Sequence, residues 1–118
     1  MKNINGQPLE SEEQNLAPNA SSEHGNFLSK LRSIDEISQF IISEIQLESL
    51  PGVFSPKLSR DTQWFAGHLP ELVRGKSFLE IGSGTGSLSF VAKEKGKAAS
   101  VVATDINPQA VENIRHNE

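Results

Sequence analysis

The stretch Phe78-Leu79-Glu80-Ile81-Gly82-Ser83-Gly84-Thr85-Gly86 places a short apolar segment before a loop with glycine at every second position. A second apolar run, Ser100–Thr104, ends at Asp105. A strand, a glycine turn, a helix, a second strand and a terminal acid make one half of an α/β nucleoside-binding site. The sequence therefore predicts the N-terminal part of a doubly wound parallel sheet.

The secondary structure around this stretch can be predicted from local signals. The patterns predict strands over residues 77–81 and 99–104 and helices over 87–95 and 108–117. Asn107 is the expected cap of the last helix, and Pro108 suits its first position. A shorter helix is expected over 61–71, with Trp64 and Phe65 in the core.

The first half of the chain predicts a different organisation. Residues 1–26 are rich in polar residues, glycine and proline and are expected to form a flexible tail. Ser33 and Glu36 have capping-box spacing, and Ile34, Ile37 and Phe40 begin an apolar stripe. These signals predict a helix over residues 33–50. The domains are thus a tail at 1–26, a helical segment with an approach loop at 27–77, and the first half of a cofactor domain at 78–118.

Composition excludes several classes of protein. The chain has 118 residues, a net charge of −4 and no cysteine, so disulfides and thiolate metal sites are excluded. The three histidines lack the spacing of metal ligands, and no metal site is expected. No basic footprint typical of a nucleic-acid surface is present. Neither a membrane-spanning run nor a signal peptide is visible, which predicts a cytoplasmic location.

The residues of the motif indicate the chemistry of the ligand. Glycines 82, 84 and 86 let the main chain turn tightly and approach a ligand closely, and the Asp105 carboxylate can accept hydrogen bonds from the two hydroxyls of a ribose. The dinucleotide fingerprint G-x-G-x-x-G is not matched, because glycine stands fifth and Ser87 sixth. Glu80 would repel a pyrophosphate but would suit the cationic amino group of a methionine moiety.

The segment resembles the first motif, E/D-x-G-x-G-x-G, of class I S-adenosylmethionine-dependent methyltransferases, which have a Rossmann-like fold. The run from Asp105 to Asn113 resembles the small-domain group, which includes release-factor glutamine methyltransferases and ribosomal methyltransferases. The resemblance implies S-adenosyl-L-methionine as cofactor and a protein or RNA acceptor. It implies that the cofactor contacts ten residues: Glu80, Gly82, Ser83, Gly84, Gly86, Asp105, Ile106, Asn107, Phe54 and Thr62.

Members of that family carry a later Asn-Pro-Pro-Tyr-type loop at the reacting centre, and no Asn-Pro-Pro segment occurs here. The chain is therefore expected to be a methyltransferase cut short after its second helix, with unknown catalytic residues. Two parallel strands seldom form a stable sheet alone, so a partner chain that completes the sheet is expected. Two alternatives remain open: a non-catalytic remnant that acts as an interaction module, and an NAD-dependent oxidoreductase.

Overall fold

The computed structural model describes residues 36–118 of the chain. The predicted tail at 1–26 and the beginning of the predicted helix at 33–50 lie outside these residues. The described elements, in chain order, are β1 (Ser38–Ile42), β2 (Ile45–Ser49), a short 3-10 helix (Pro56–Leu58), α1 (Arg60–Val73), β3 (Ser77–Ile81), α2 (Ser87–Glu94), β4 (Ser100–Thr104) and α3 (Pro108–Asn117).

Strands β3 and β4 form a parallel pair joined through α2, with Ser77 opposite Ser100 and Ile81 opposite Thr104. The α/β fold class is confirmed, and the element order matches the first half of a Rossmann-like sheet. The carboxyl ends of both strands meet at one edge of the sheet. The glycine loop and Asp105, which follow those ends, are thereby brought to the same place.

The first two strands form an antiparallel hairpin, so the prediction of a helix over 33–50 is wrong across residues 38–49. The apolar residues follow a period of two: Phe40, Ile42 and Leu47 are buried, whereas Ile41 is 68% exposed. The spacing of Ile41 from Ile37 also fits one face of a helix, so the apolar pattern alone does not separate the two structures.

The turn of this hairpin explains why the sequence did not reveal it. Ser43 and Glu44 both adopt left-handed backbone angles, φ 47° and 65°, as the two-residue turn requires. Such turns are usually signalled by Asn-Gly or Asp-Gly. Here tertiary contacts support the turn instead, because Ser43 Oγ donates to the Ala66 carbonyl at 3.5 Å and Lys95 Nζ donates to Glu44 at 2.8 Å.

Helix α1 is longer than predicted and contains Pro70 within its length. A proline has no N–H, so it leaves the carbonyl four residues earlier, that of Ala66, without its helical partner. The hydroxyl of Ser43 bonds to that same carbonyl, which helps the helix to continue to Val73. The prediction that Trp64 and Phe65 are core residues is wrong, since they are 60% and 52% exposed.

The core lies between the hairpin and the helices. Its buried members are Phe40, Ile42, Leu47, Ala66, Phe90 and Val91. Helix α2 contacts both parallel strands as well as α1 and β2, and α3 contacts β2. The side chains of Phe90, Val91 and Ala92 are buried on the inner side of α2.

Two asparagines of α3 fasten that helix to the outer edge of the hairpin. Asn113, which is fully buried, accepts from the Leu50 N–H at 2.7 Å and donates to the Glu48 carbonyl at 2.8 Å. One turn later, Asn117 accepts from the Glu48 N–H at 2.9 Å. Backbone groups of β2 that β1 does not pair are thus satisfied by side chains.

The opposite face of the parallel pair is open within residues 36–118. Leu79, Ile81 and Val102 point away from α2 and are 59%, 81% and 54% exposed. Neither outer edge of the pair is joined by another described strand. This part of the fold therefore presents both apolar side chains and unpaired main-chain groups.

Candidate cofactor site

The glycine loop leaves β3 and is tied at once to the end of β4. The N–H groups of Gly82 and Ser83 both donate to the Thr104 carbonyl, at 2.8 and 3.0 Å. The Gly86 N–H then closes the turn on the Ser83 carbonyl at 2.8 Å. These bonds fix the path of the loop relative to both parallel strands.

The glycines of the loop serve different purposes. Gly82 and Gly86 have φ of 72° and 78°, which residues with a side chain rarely adopt. A Cβ at Gly86 would lie 2.6 Å from Ile114 Cγ1, so this position is also required by packing. A Cβ at Gly82 would meet no atom within 4 Å, so the main chain there faces open space.

Asp105 points directly at the glycine turn. One carboxylate oxygen, Oδ2, accepts from the Gly84 N–H at 2.8 Å, and the other, Oδ1, accepts from the Asn107 N–H at 2.8 Å. A carboxylate has about four acceptor positions, so two remain for other donors. The predicted proximity of Asp105 to the loop is therefore present, with the carboxylate already held in one orientation.

Glu80 lies on the α2 side of the loop and caps that helix. Its Oε2 accepts from both the main-chain N–H and the hydroxyl of Ser89, at 3.1 and 2.6 Å. Gly86, the N-cap residue, has no side chain to do this. Burial, and to a smaller extent the negative charge of Asp105, raises the pKa of Glu80, while the two Ser89 bonds oppose that rise.

A cleft of about 240 Å³ opens beside the loop and contains four of the predicted residues. Its lining combines the approach segment with the ends of the parallel pair: Gly52, Val53, Phe54, Gly84, Asp105, Asn107 and Ala110. The cleft is smaller than the roughly 300 Å³ at which pockets for small molecules usually begin. It has room for part of a nucleoside.

The other predicted residues lie outside the lining of this cleft. Ile106 is fully exposed, and the Ser83 hydroxyl is buried without a partner among the described residues. Thr62 donates its N–H to the Ser59 hydroxyl at the start of α1 and does not line the cleft. Asn107 does line it, but its side-chain oxygen caps α3 by accepting from the Gln109 N–H at 3.0 Å.

Three residues outside the ten predicted cofactor contacts contribute to the site. Gly52 and Val53 form one wall of the cleft, and the amide of Asn107 donates to the Gly52 carbonyl at 3.4 Å. Ser89 was not recognised as the partner of Glu80. The sequence contains one signal for this pair: Ser89 lies in the first turn of a helix that is capped by a glycine. The N–H groups of such a turn need acceptors from elsewhere in the chain.

Residues 36–118 contain no group of three or more His, Cys, Asp or Glu side chains arranged to hold a metal ion. In the same part of the chain, none of the helices has the length and apolar character needed to cross a membrane.

The element order and the glycine loop beside Asp105 define the first part of a Rossmann-like α/β unit. More specifically, the chain belongs to the methyltransferase small domain family, whose model matches residues 44–118. The class I resemblance of the glycine motif and the small-domain resemblance of the run from Asp105 to Asn113 are thereby confirmed.

Similar proteins in several organisms carry related names. The ribosomal RNA small subunit methyltransferase C of Hahella chejuensis is 40% identical over 73 residues, which are 61% of this chain and 21% of that protein. The ribosomal protein L11 methyltransferase of Leuconostoc citreum is 36% identical over 83 residues, 61% of this chain and 28% of that protein. The calmodulin-lysine N-methyltransferase of Arabidopsis thaliana is 41% identical over 54 residues, 46% and 18% respectively. The chain thus spans less than a third of the length of each of these three relatives.

Proposed function

We propose that the site binds S-adenosyl-L-methionine and that the chain takes part in methyl transfer to a protein or RNA acceptor. The observation that carries this proposal is the 2.8 Å bond from the Gly84 N–H to Asp105 Oδ2, with Glu80 on the other side of the same loop. Two carboxylates flank a loop whose three glycines leave the main chain accessible to a ligand. This arrangement favours a ligand with hydroxyls and a positive charge over one with a pyrophosphate.

Each residue of the loop has a role in this proposal. The acceptor positions left on Asp105 receive the ribose hydroxyls, and Glu80 faces the ammonium group of the methionine portion. The main chain at Gly82 and Gly84 lets the ligand approach, and Phe54 lines the same cleft as Gly84. When bound, S-adenosylmethionine supplies a methyl group on a sulfonium sulfur, and the neutral thioether that remains after transfer is a good leaving group.

The methyl acceptor is proposed only as a class. The names of the relatives refer to ribosomal RNA, ribosomal protein L11 and calmodulin lysine, so the family spans nucleic-acid and protein acceptors. In such transfer, the rate comes mostly from holding the acceptor in line with the methyl group in a dry site. We propose that further polypeptide provides that acceptor site and that the reaction takes place in the cytoplasm.

Calorimetric titration of the full chain with S-adenosylmethionine, S-adenosylhomocysteine and NAD tests the proposal. Binding of the first two, lost in Asp105→Ala and in Gly84→Val, is the expected result. Glu112→Gln is the matched control, because this exposed acid on α3 pairs with Arg115 and does not line the cleft. Binding of NAD alone would favour the oxidoreductase alternative, and binding of none of the three would favour the interaction module.

The open face of the parallel pair supports a second proposal, that of an interaction surface. Leu79, Ile81 and Val102 are exposed beside strand edges that no other strand of residues 36–118 pairs, a combination that favours the addition of another strand. We propose that a polypeptide strand completes the sheet and that, in the purified chain, this strand is β3 of a second copy. Leu79 would then be buried at the contact.

Sedimentation velocity over a range of concentrations tests this association. The wild-type chain is expected to dimerise and Leu79→Lys to remain monomeric, since a charge in the new interface would be costly. Trp64→Gln, which changes an equally exposed apolar residue on α1, is expected to dimerise like the wild type. A wild-type chain that stays monomeric at 100 μM, a concentration chosen at about a hundred times a typical micromolar Kd, would overturn this proposal.

A further inference from the structure

We propose that Ser89 is a positioning residue of the cofactor site, which holds one oxygen of Glu80 so that the other is presented to the ammonium group of the ligand. This inference rests on the proposed function, because it assigns a task to a residue behind the same site. Neither the glycine motif nor the family resemblance singles out Ser89.

The geometry at Glu80 carries the inference. Both bonds from Ser89 converge on Oε2, and the hydroxyl bond of 2.6 Å has the short length typical of a hydroxyl bound to a charged carboxylate. Oε1 accepts no hydrogen bond from residues 36–118. Ser89 itself is 5% exposed, so α2 holds its hydroxyl in place. The carboxylate thus has one fixed oxygen and one available oxygen.

The electrostatics around Glu80 give the hydroxyl a second effect. Asp105, from the end of β4, is the charged group whose field acts on Glu80, and α2 contributes the uncharged Ser89. Burial and Asp105 both favour the protonated acid, which could not attract an ammonium group. The Ser89 hydroxyl lowers the pKa of Glu80 and so favours its ionised form.

A pair of ligands separates this role from general support of the cleft. S-adenosylhomocysteine carries the ammonium group, whereas 5′-methylthioadenosine has the same nucleoside and thioether without the amino-acid portion. If Ser89 acts through Glu80, its loss should weaken only the first ligand. If Ser89 merely supports the fold, both ligands should weaken together.

Calorimetry with both ligands, on wild type and Ser89→Ala, forms the experiment. We expect Ser89→Ala to bind S-adenosylhomocysteine at least about tenfold more weakly, since hydrogen bonds to charged groups are among the stronger ones, and to bind 5′-methylthioadenosine unchanged. As the pH is lowered, the affinity of Ser89→Ala for S-adenosylhomocysteine should begin to fall at a higher pH than the affinity of the wild type, because Glu80 takes up a proton more easily without the Ser89 hydroxyl.

Two further variants make the result decisive. Ser87→Ala removes a hydroxyl from the same turn that is buried to a similar degree but bonds to Thr85 at 2.6 Å, and it should leave both affinities unchanged. Glu80→Gln retains the shape and should reproduce the selective loss even if Ser89→Ala fails to fold. Equal weakening of both ligands, or of neither, in Ser89→Ala and Glu80→Gln would overturn the inference. A wild type that binds neither ligand would overturn it together with the proposed function.

Discussion

Replacing Gly86 by alanine should be the most destabilising single change in the glycine loop, because two separate costs fall on one residue. The backbone there has φ 78°, and a side chain in the left-handed region costs about 1–2 kcal/mol. The new Cβ would also lie 2.6 Å from Ile114 Cγ1 and 3.4 Å from a ring carbon of Phe90. Overpacking of this kind costs about 1–3 kcal/mol. The expected total loss is about 2–5 kcal/mol.

Gly82→Ala is the matched control for this change. Its φ of 72° imposes the same backbone cost, but a Cβ there meets no atom within 4 Å. Its loss should therefore be about 1–2 kcal/mol, the backbone cost alone. Urea unfolding, followed by circular dichroism, gives the free energy of unfolding of each variant from its midpoint and slope.

A double-mutant cycle with Ile114→Ala then isolates the steric part. Truncating Ile114 removes Cγ1 and Cδ1, the two Ile114 atoms that would lie 2.6 and 3.3 Å from the new methyl group, so Gly86→Ala should cost about 1–3 kcal/mol less in that background. Equal losses for Gly86→Ala and Gly82→Ala would refute the reasoning. So would a coupling energy below about 0.5 kcal/mol, because contacting residues are expected to exceed it.

Four other changes test separate parts of the fold. Asn113→Ala leaves the partly buried Leu50 N–H without its acceptor and should cost about 1–3 kcal/mol in urea unfolding, so a negligible loss would contradict the role of that amide. Glu80→Gln should be at least as stable as the wild type at pH 7. The folded-state pKa of Glu80 is raised above its ordinary value of 4.5, so the protonated side chain stabilises the fold relative to the ionised one. That stabilisation is fully present below pH 4.5 and is lost as the pH rises through the folded-state pKa. Unfolding curves at several pH values should show this advantage shrink on acidification, and an advantage that grows would contradict the sign. Trp64→Gln should change the free energy of unfolding by less than about 0.5 kcal/mol, whereas Ala66→Asp, at 1% exposure, should prevent folding as judged by circular dichroism.

The elements from β3 to α3 could be predicted because their signals are local. A glycine loop ends the first strand, and Asn107 with Pro108 begins the last helix within a residue of the observed start. The meeting of Asp105 with the loop also followed from sequence, since parallel strands bring their carboxyl ends together.

The hairpin and the inner side of the site could not be predicted in this way. The hairpin turn at Ser43 lacks a glycine or asparagine and depends on contacts with α1 and α2 that are distant in sequence. The bond from Ser89 to Glu80 depends on which face of β3 the Glu80 side chain points to, and the glycine motif does not determine that face. The assignment of Thr62 to the cofactor site came from family resemblance alone and remains a prediction.

Helix α3 connects the two halves of the described structure. It follows Asn107, whose N–H donates to Asp105, and it ends at Asn117, whose side chain accepts from the Glu48 N–H of β2. Its ten residues form a helix about 15 Å long, which is rigid compared with the hydrogen bonds at its two ends. A nucleoside that steadies Asp105 would therefore also slow the opening of the distant hairpin, and amide deuterium uptake at Glu48 and Leu50 would report occupancy of a site that neither residue touches.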